Sequence, residues 1–249
     1  MSLPPLRASA PTSWSDTTSM FRTEYKALVI GATGATGQAF AVAFAADPRC
    51  THVERVSRTL SPGFDLREES AIQRQAEASR AHGPYHVIVD ATGALTIEGI
   101  GPEKSLTQLR RGTLVQNFEI NAIGPVLALR HFATLLAPGP SLYAKLSARV
   151  GSIADNHKGG WYGYRASKAA LNMFLQTAAI ELQRKNPQLQ VVALQPGTVR
   201  SSLSQPFTQS VPVLLEPQDA VAGMWRALQN LPPKTGCHFI DYKGEPIAW

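Results

Sequence analysis

Few features of these 249 residues suggest cross-links, metal or membrane. Cysteine occurs only twice, at Cys50 and Cys237, far apart and without CxxC spacing. That argues against a disulfide framework and a thiolate zinc site, and leads us to expect a reducing, cytoplasmic setting. No apolar run approaches the roughly 20 residues needed to cross a bilayer, so no membrane partner is expected. The six histidines (His52, His82, His86, His131, His157 and His238) show no ligand spacing along the chain, and the sequence predicts no metal. Charged residues make up 17% of the chain, with a formal net charge of +6. The basic residues are scattered, however, and the densest pairs, Arg110-Arg111 and Arg184-Lys185, build no stripe. This argues against nucleic acid and for a small anionic ligand.

Residues 1–22 contain one acidic residue, Asp16, and no apolar h-region, while Ser, Thr and Pro abound. We read them as a disordered N-terminal extension rather than a secretory signal, and residues 23–249 as a single domain. Within that domain, runs of strand character alternate with longer helical patterns. Candidate strands are 27–30, 53–57, 86–90, 142–146, 189–195 and 238–242. Candidate helices are 38–46, 68–81, 106–136, 164–184 and 217–228. The alternation predicts an α/β fold, a Rossmann-type doubly wound parallel sheet with helices on both faces. Runs such as Ala-Leu-Val-Ile and Val-Ile-Val, without polar alternation, suit strands buried on both sides. In such a sheet, ligands bind at the carboxyl ends of the strands, near the reversal of strand order.

The first strand leads into Gly31-Ala32-Thr33-Gly34-Ala35-Thr36-Gly37. A glycine turn opening a helix presents backbone N–H groups and the positive end of a helix dipole to a phosphate. Gly31 serves the sharp turn, Gly34 the close approach of a pyrophosphate and Gly37 the packing of helix on strand. The second strand ends in Ser57-Arg58, where an NAD site has an acidic residue for the ribose hydroxyls. A guanidinium there suits a 2′-phosphate, so NADP(H) is favoured over NAD(H). Further along, Tyr164 and Lys168 stand at i, i+4 on one face of a helix. An ammonium beside a phenol favours phenolate, which predicts a tyrosine acidified toward working pH and usable as acid or base.

The turn at Gly31–Gly37, the YRASK segment, Asn121 in NAIGP and Pro196-Gly197-Thr198-Val199 together resemble the short-chain dehydrogenase/reductase family across roughly residues 25–249. The segments GSIADN, GGWYGYRASKAALN, PGTVRSSLSQPF and FIDYKGEPIAW resemble its C-factor-like branch, which includes small carbonyl reductases. The resemblance implies hydride transfer between NADP(H) and a small carbonyl or alcohol substrate. Tyr164 is then the acid/base and Lys168 the holder of the nicotinamide ribose, while Asn121 orders a water in the proton relay. It also implies cofactor contacts from Thr33, Ala35 and Thr36 in the turn, from Asp65 and Leu66 near the adenine, and from Ala91, Thr92 and Gly93. Pro196, Gly197, Val199 and Ser201 form the loop facing the carboxamide. Pairing into a homodimer or homotetramer through the 106–136 and 164–184 helices is a further implication.

Three departures stand out. The family's serine, three places before a glycine, is Ala148 here; Ser147 and Ser152 flank the position, and Ser147 is our choice to polarise the carbonyl. The turn after the third apolar strand reads Asp90-Ala91-Thr92-Gly93 and lacks the usual asparagine. The middle glycine of the first turn comes one place early, with Ala35 at its usual position. These departures sustain an alternative, a non-catalytic NADP-binding sensing or signalling protein of the same fold. Finally, 201–215, with Leu203, Phe207, Val211 and Leu214, is expected to form a partly apolar lid.

Overall fold

The computed structural model describes residues 23–207 and 213–249. The expected disordered extension, and Val211 of the expected lid, lie outside the described residues. Six strands, β1 (Tyr25–Ile30), β2 (Cys50–Val56), β3 (Val87–Asp90), β4 (Ser141–Leu146), β5 (Leu189–Gln195) and β6 (Cys237–Asp241), form one sheet. All neighbours run parallel, in the order β2-β1-β3-β4-β5-β6. From β1 the chain steps out to β2 on one side and returns to β3 on the other, so the order reverses around β1. The carboxyl ends of β1 and β3 therefore flank the crevice in which such sheets take their ligands.

The helices are α1 (Ala35–Ala46), α2 (Glu69–Ser79), α3 (Arg111–Phe118), α4 (Gly124–Phe132), α5 (Tyr162–Gln183) and α6 (Pro217–Gln229). On one face, α1 and α6 bury Phe40, Phe44, Met224 and Trp225 against β1, β3 and β4. Phe44 meets Trp225 edge-on at 5.0 Å and 84°, a geometry worth about 0.5–1.5 kcal/mol beyond area burial. On the other face, Ile72, Leu129, Phe132, Leu171 and Leu175 from α2, α4 and α5 cover Leu28, Ile88 and Val191. β1, β3, β4, β5 and β6 are buried on both sides, whereas the edge strand β2, with the mixed sequence CTHVERV, is largely half-buried or exposed. Among the described residues no helix is long and apolar enough to cross a membrane.

Two expectations need correction. First, α1 starts at Ala35 rather than residue 38, so Ala35, Thr36 and Gly37 belong to its first turn and Gly34 is its N-cap. Second, the single helical stretch expected over 106–136 is divided. A 3₁₀ turn, Leu106–Gln108, precedes α3; a π turn, Glu119–Ile123, joins α3 to α4; and another 3₁₀ turn, Ala133–Leu135, follows. Pro125 gives the physical reason for the π turn. It has no N–H for the carbonyl four residues back, that of Asn121, and its ring would clash there in a regular α-helix; one wider turn relieves the clash and leaves that carbonyl without its i+4 donor.

Candidate active site

The glycine turn follows from β1 directly. Gly31 adopts φ +80°, a left-handed conformation that costs a side-chain-bearing residue strain. A Cβ on Gly37 would lie 2.2 Å from the Gly31 carbonyl oxygen, so only glycine lets α1 pack this close to the turn. Thr33 and Gly34 face solvent. The N-cap contributes no side-chain hydrogen bond, and the first turn of α1 carries no acidic residue. N–H groups left without a side-chain cap, at the positive end of a helix dipole, make a cradle that fits a pyrophosphate.

Arg58 is exposed just beyond β2, free to meet an anion. Its neighbour Ser57 is buried, and its Oγ accepts the Leu60 N–H at 3.1 Å, so this hydroxyl shapes the turn. Asp65 is engaged locally: Arg67 grips its carboxylate at 2.8 Å. That guanidinium lowers the carboxyl's proton affinity despite its partial burial, with a smaller contribution from Arg58. Leu66 is partly buried and packs on the α2/α4 side of the sheet.

At the carboxyl end of β3 the sequence reading missed a buried ion pair. Asp90 and Lys145, both 0% exposed in their side chains, meet at 2.9 Å. Lys145 Nζ also donates to the Thr92 carbonyl at 2.6 Å and to Thr92 Oγ1 at 2.9 Å, and Asp90 Oδ1 accepts the Thr92 N–H at 2.9 Å. The pair thus fixes Ala91-Thr92-Gly93, where the expected asparagine is lacking. A signal existed: a lysine inside the buried run Leu-Tyr-Ala-Lys-Leu demands a partner, and Asp90 ends the adjoining strand.

Gly93 brings the next groups together. The point where its side chain would begin lies 3.2 Å from Asn121 Oδ1 and 3.5 Å from Lys168 Nζ. Asn121 is buried in the π turn; its Oδ1 accepts the Ala94 N–H and its Nδ2 donates to the Ala94 carbonyl, each at 2.9 Å. Lys168 lies in the second turn of α5, buried, donating to the Leu146 carbonyl at 3.2 Å, and its Nζ stands 5.7 Å from the Tyr164 ring centre. Tyr164 and Lys168 therefore share a face of α5, beside the crevice. Glu103, unnoticed in the sequence, secures the start of that helix by accepting the Gly163 N–H at 3.0 Å. Trp161, at φ +55°, packs edge-on against both Tyr164 and Phe207, giving the site an aromatic wall.

The electrostatics correct one expectation. Burial pushes the Tyr164 phenol up to about 12 and pushes Lys168 down to about 7, with the Lys145 ammonium adding to the fall and Asp90 opposing it. The phenol is therefore not acidified: desolvation is the largest influence on both groups. At neutral pH the site holds a protonated phenol next to an amine poised to gain or lose its proton.

The two candidate serines are both committed. Ser147 Oγ donates to Asn172 Oδ1 at 2.6 Å, while Asn172 Nδ2 is buried without a partner. Ser152 Oγ accepts the Asp155 N–H at 3.0 Å. Gly197, at φ +77°, turns the chain after β5. Val199 is buried and pairs as a bridge with Leu215, and Ser201 Oγ donates to the Val199 carbonyl at 3.4 Å. Pro196 precedes them at the end of β5, partly buried.

A model of the short chain dehydrogenase family matches residues 25–211. Among curated relatives, a 1-hydroxy-2-glutathionyl-2-methyl-3-butene dehydrogenase of Rhodococcus is 28% identical over 192 residues, covering 77% of this chain and 80% of its own. The C-signal protein of Myxococcus xanthus is 31% identical over 168 residues, covering 67% and 94% respectively. Among solved structures, an NADPH-bound carbonyl reductase from chicken fatty liver superposes with a TM-score of 0.78 at 18% identity, covering 94% of this chain and 97% of that one. At that identity the likeness concerns the fold.

Proposed function

Because this chain belongs to the short chain dehydrogenase family and is an NAD(P)-dependent oxidoreductase, we propose that it interconverts a small carbonyl compound and its alcohol with NADP(H) rather than NAD(H). The observation that carries the reading is the Tyr164–Lys168 pair on one face of α5, with the buried Lys168 beside Gly93 and Asn121. NADPH, when bound, supplies the hydride. The turn Gly31–Gly37 holds its pyrophosphate, Arg58 its 2′-phosphate and Lys168 its nicotinamide ribose. Asp65, Leu66 and Ala91–Gly93 border the adenine side, and Pro196, Gly197, Val199 and Ser201 the carboxamide.

Tyr164 gives its proton to the carbonyl oxygen as negative charge develops there. A phenol held near 12 is protonated at neutral pH, so it is ready as the acid of the reductive direction. Ser147 polarises the same oxygen once the Asn172 amide turns end for end. Nδ2 then donates to Ser147 Oγ, and the serine proton is released toward substrate; such a preorganised donor is worth about 2.7–4 kcal/mol. The Asn121 side chain is occupied by Ala94, so its main-chain carbonyl, deprived of a helical donor by Pro125, is the group that holds the relay water to Lys168. Trp161 and Phe207 favour substrates with an apolar or aromatic flank. The domain spans 23–249 and works in the cytoplasm, with a second copy meeting it through α3 and α5.

NADPH oxidation measured with a panel of carbonyl compounds, for wild type and Tyr164→Phe, tests this reading: turnover is expected in the first and not in the second. Equal rates would remove Tyr164 from the chemistry. A second reading, a sensing or signalling protein that binds NADP(H) without turnover, draws on Ala148 and on the commitment of the Ser147 proton to Asn172. Tight NADPH binding with no turnover across the panel would favour it.

A further inference from the structure

β2 is an edge strand of the sheet, and its middle carries a cluster the nucleotide chemistry does not use. His52 and Glu54, at i, i+2, stand on one face of β2, and His82 reaches them from the turn after α2. One ligand atom from each of the three lies within 4.8 Å of the others, and among the described residues no other His, Cys, Asp or Glu trio does so. The two imidazoles stack with centres 5.0 Å apart and planes 26° apart. His82 Nδ1 is 3.3 Å from Glu54 Oε2, and His52 Nε2 is buried with no hydrogen-bond partner. A buried ring nitrogen without a partner normally costs free energy; a metal ion would satisfy it.

From this geometry we infer that His52, Glu54 and His82 bind a divalent transition ion of borderline softness, with zinc as the first choice. Two imidazoles and one carboxylate form a zinc donor set, leaving a fourth position for water. Tetrahedral bonds of about 2.0–2.1 Å set ligand atoms about 3.3 Å apart; His82 Nδ1 and Glu54 Oε2 already stand at 3.3 Å, and small side-chain rotations draw in the remaining atoms, all within 4.8 Å. The carboxylate is already oriented for such a role, because the Ser79 and Tyr85 hydroxyls both donate to Glu54. Outer hydrogen bonds of this kind aim a ligating carboxylate. Lys26, on the neighbouring strand, is turned to the His82 and Gly83 main-chain carbonyls, leaving the nitrogen and carboxylate lone pairs to the ion. The cluster sits on the middle of β2, short of the strand end that faces the crevice. The bound ion pins an edge strand to the α2–β3 turn and so guards an edge that would otherwise invite pairing with another chain.

Zinc titrated calorimetrically into the metal-stripped full chain tests this directly. One ion per chain is expected, with a rise in Tm of about 5–10 °C at a hundredfold excess of zinc over Kd. His82→Ala, at an exposed position, is expected to weaken binding by about 10–100-fold or more and to abolish the thermal shift while keeping NADPH-dependent turnover. His52→Ala should weaken binding to a similar degree, and Tyr164→Phe should bind zinc as wild type does. The last result separates this site from the oxidoreductase reading. Zinc affinity unchanged in both histidine variants, or no binding up to about 1 mM zinc, would overturn the inference.

Discussion

Two lysines lie buried near the same end of the sheet, with opposite consequences. Lys145 is on a strand, meets a carboxylate and makes further bonds to Thr92, so its donors are spent on fixing a turn. Lys168 is on a helix, and its amine holds one carbonyl and overlooks a phenol ring. Burial penalises both ammoniums, but only the first has a carboxylate in contact. The difference separates architecture from chemistry: a fully partnered charge shapes the site, and an under-partnered one stays free to exchange a proton.

Perturbing each side of this comparison should give a distinct result. The largest effect is expected at the helix: Tyr164→Phe lowers carbonyl-dependent NADPH turnover by about 10²–10⁴-fold and leaves the urea midpoint where it was. On the strand the balance inverts. Lys145→Met strands Asp90 in the interior, and urea unfolding should report a loss of about 3–5 kcal/mol; adding Asp90→Leu should recover most of it. A Lys145→Met protein as stable as wild type would deny the pair its structural role. Ser147→Ala comes next, with kcat expected to fall by about 10²–10³-fold and substrate affinity little changed. A fall of less than about threefold would move the carbonyl donor elsewhere.

A last prediction is the most diagnostic, because it reads the titration itself. Lys168 is held at about 7 in the fold against 10.5 for the free side chain. Between those values the unfolded chain binds more protons than the folded one, so stability climbs as pH rises through that window. Lys168→Met abolishes that climb: in urea titrations the variant should gain on wild type as pH falls from about 10.5 toward 7, with no further gain below it. Parallel stability curves for the two proteins would place the amine outside the buried site.

The parts of this arrangement legible in the sequence are those fixed by backbone geometry or local spacing. Gly31 and Gly37 stood out because a turn and a close helix contact require them, and Tyr164 and Lys168 because i, i+4 places them on one face wherever the helix lies. The inner strands were legible from apolar runs because the sheet covers them on both sides, while the edge strand β2, CTHVERV, has no such run. Partners distant in sequence stayed hidden. Asp90 and Lys145 are 55 residues apart and meet only through the β3–β4 register; His52 and His82 meet only because β2 lies beside the turn that follows α2. Electrostatic sign was hidden for a related reason. Helical spacing reveals which charges are neighbours, but desolvation is a property of the folded interior, and here it sets the Tyr164 and Lys168 shifts.

The amide of Asn121 answers both the donor and the acceptor of Ala94, as a rung of a β-ladder would, and so splints the loop after β3 to the helical side of the crevice. Its removal therefore has two separable outcomes. Aspartate keeps the acceptor and loses the donor; leucine loses both and lets the loop drift from the helix. The residue that the family pattern marks for its part in a relay is, in this chain, first of all a joint between two halves of a cleft.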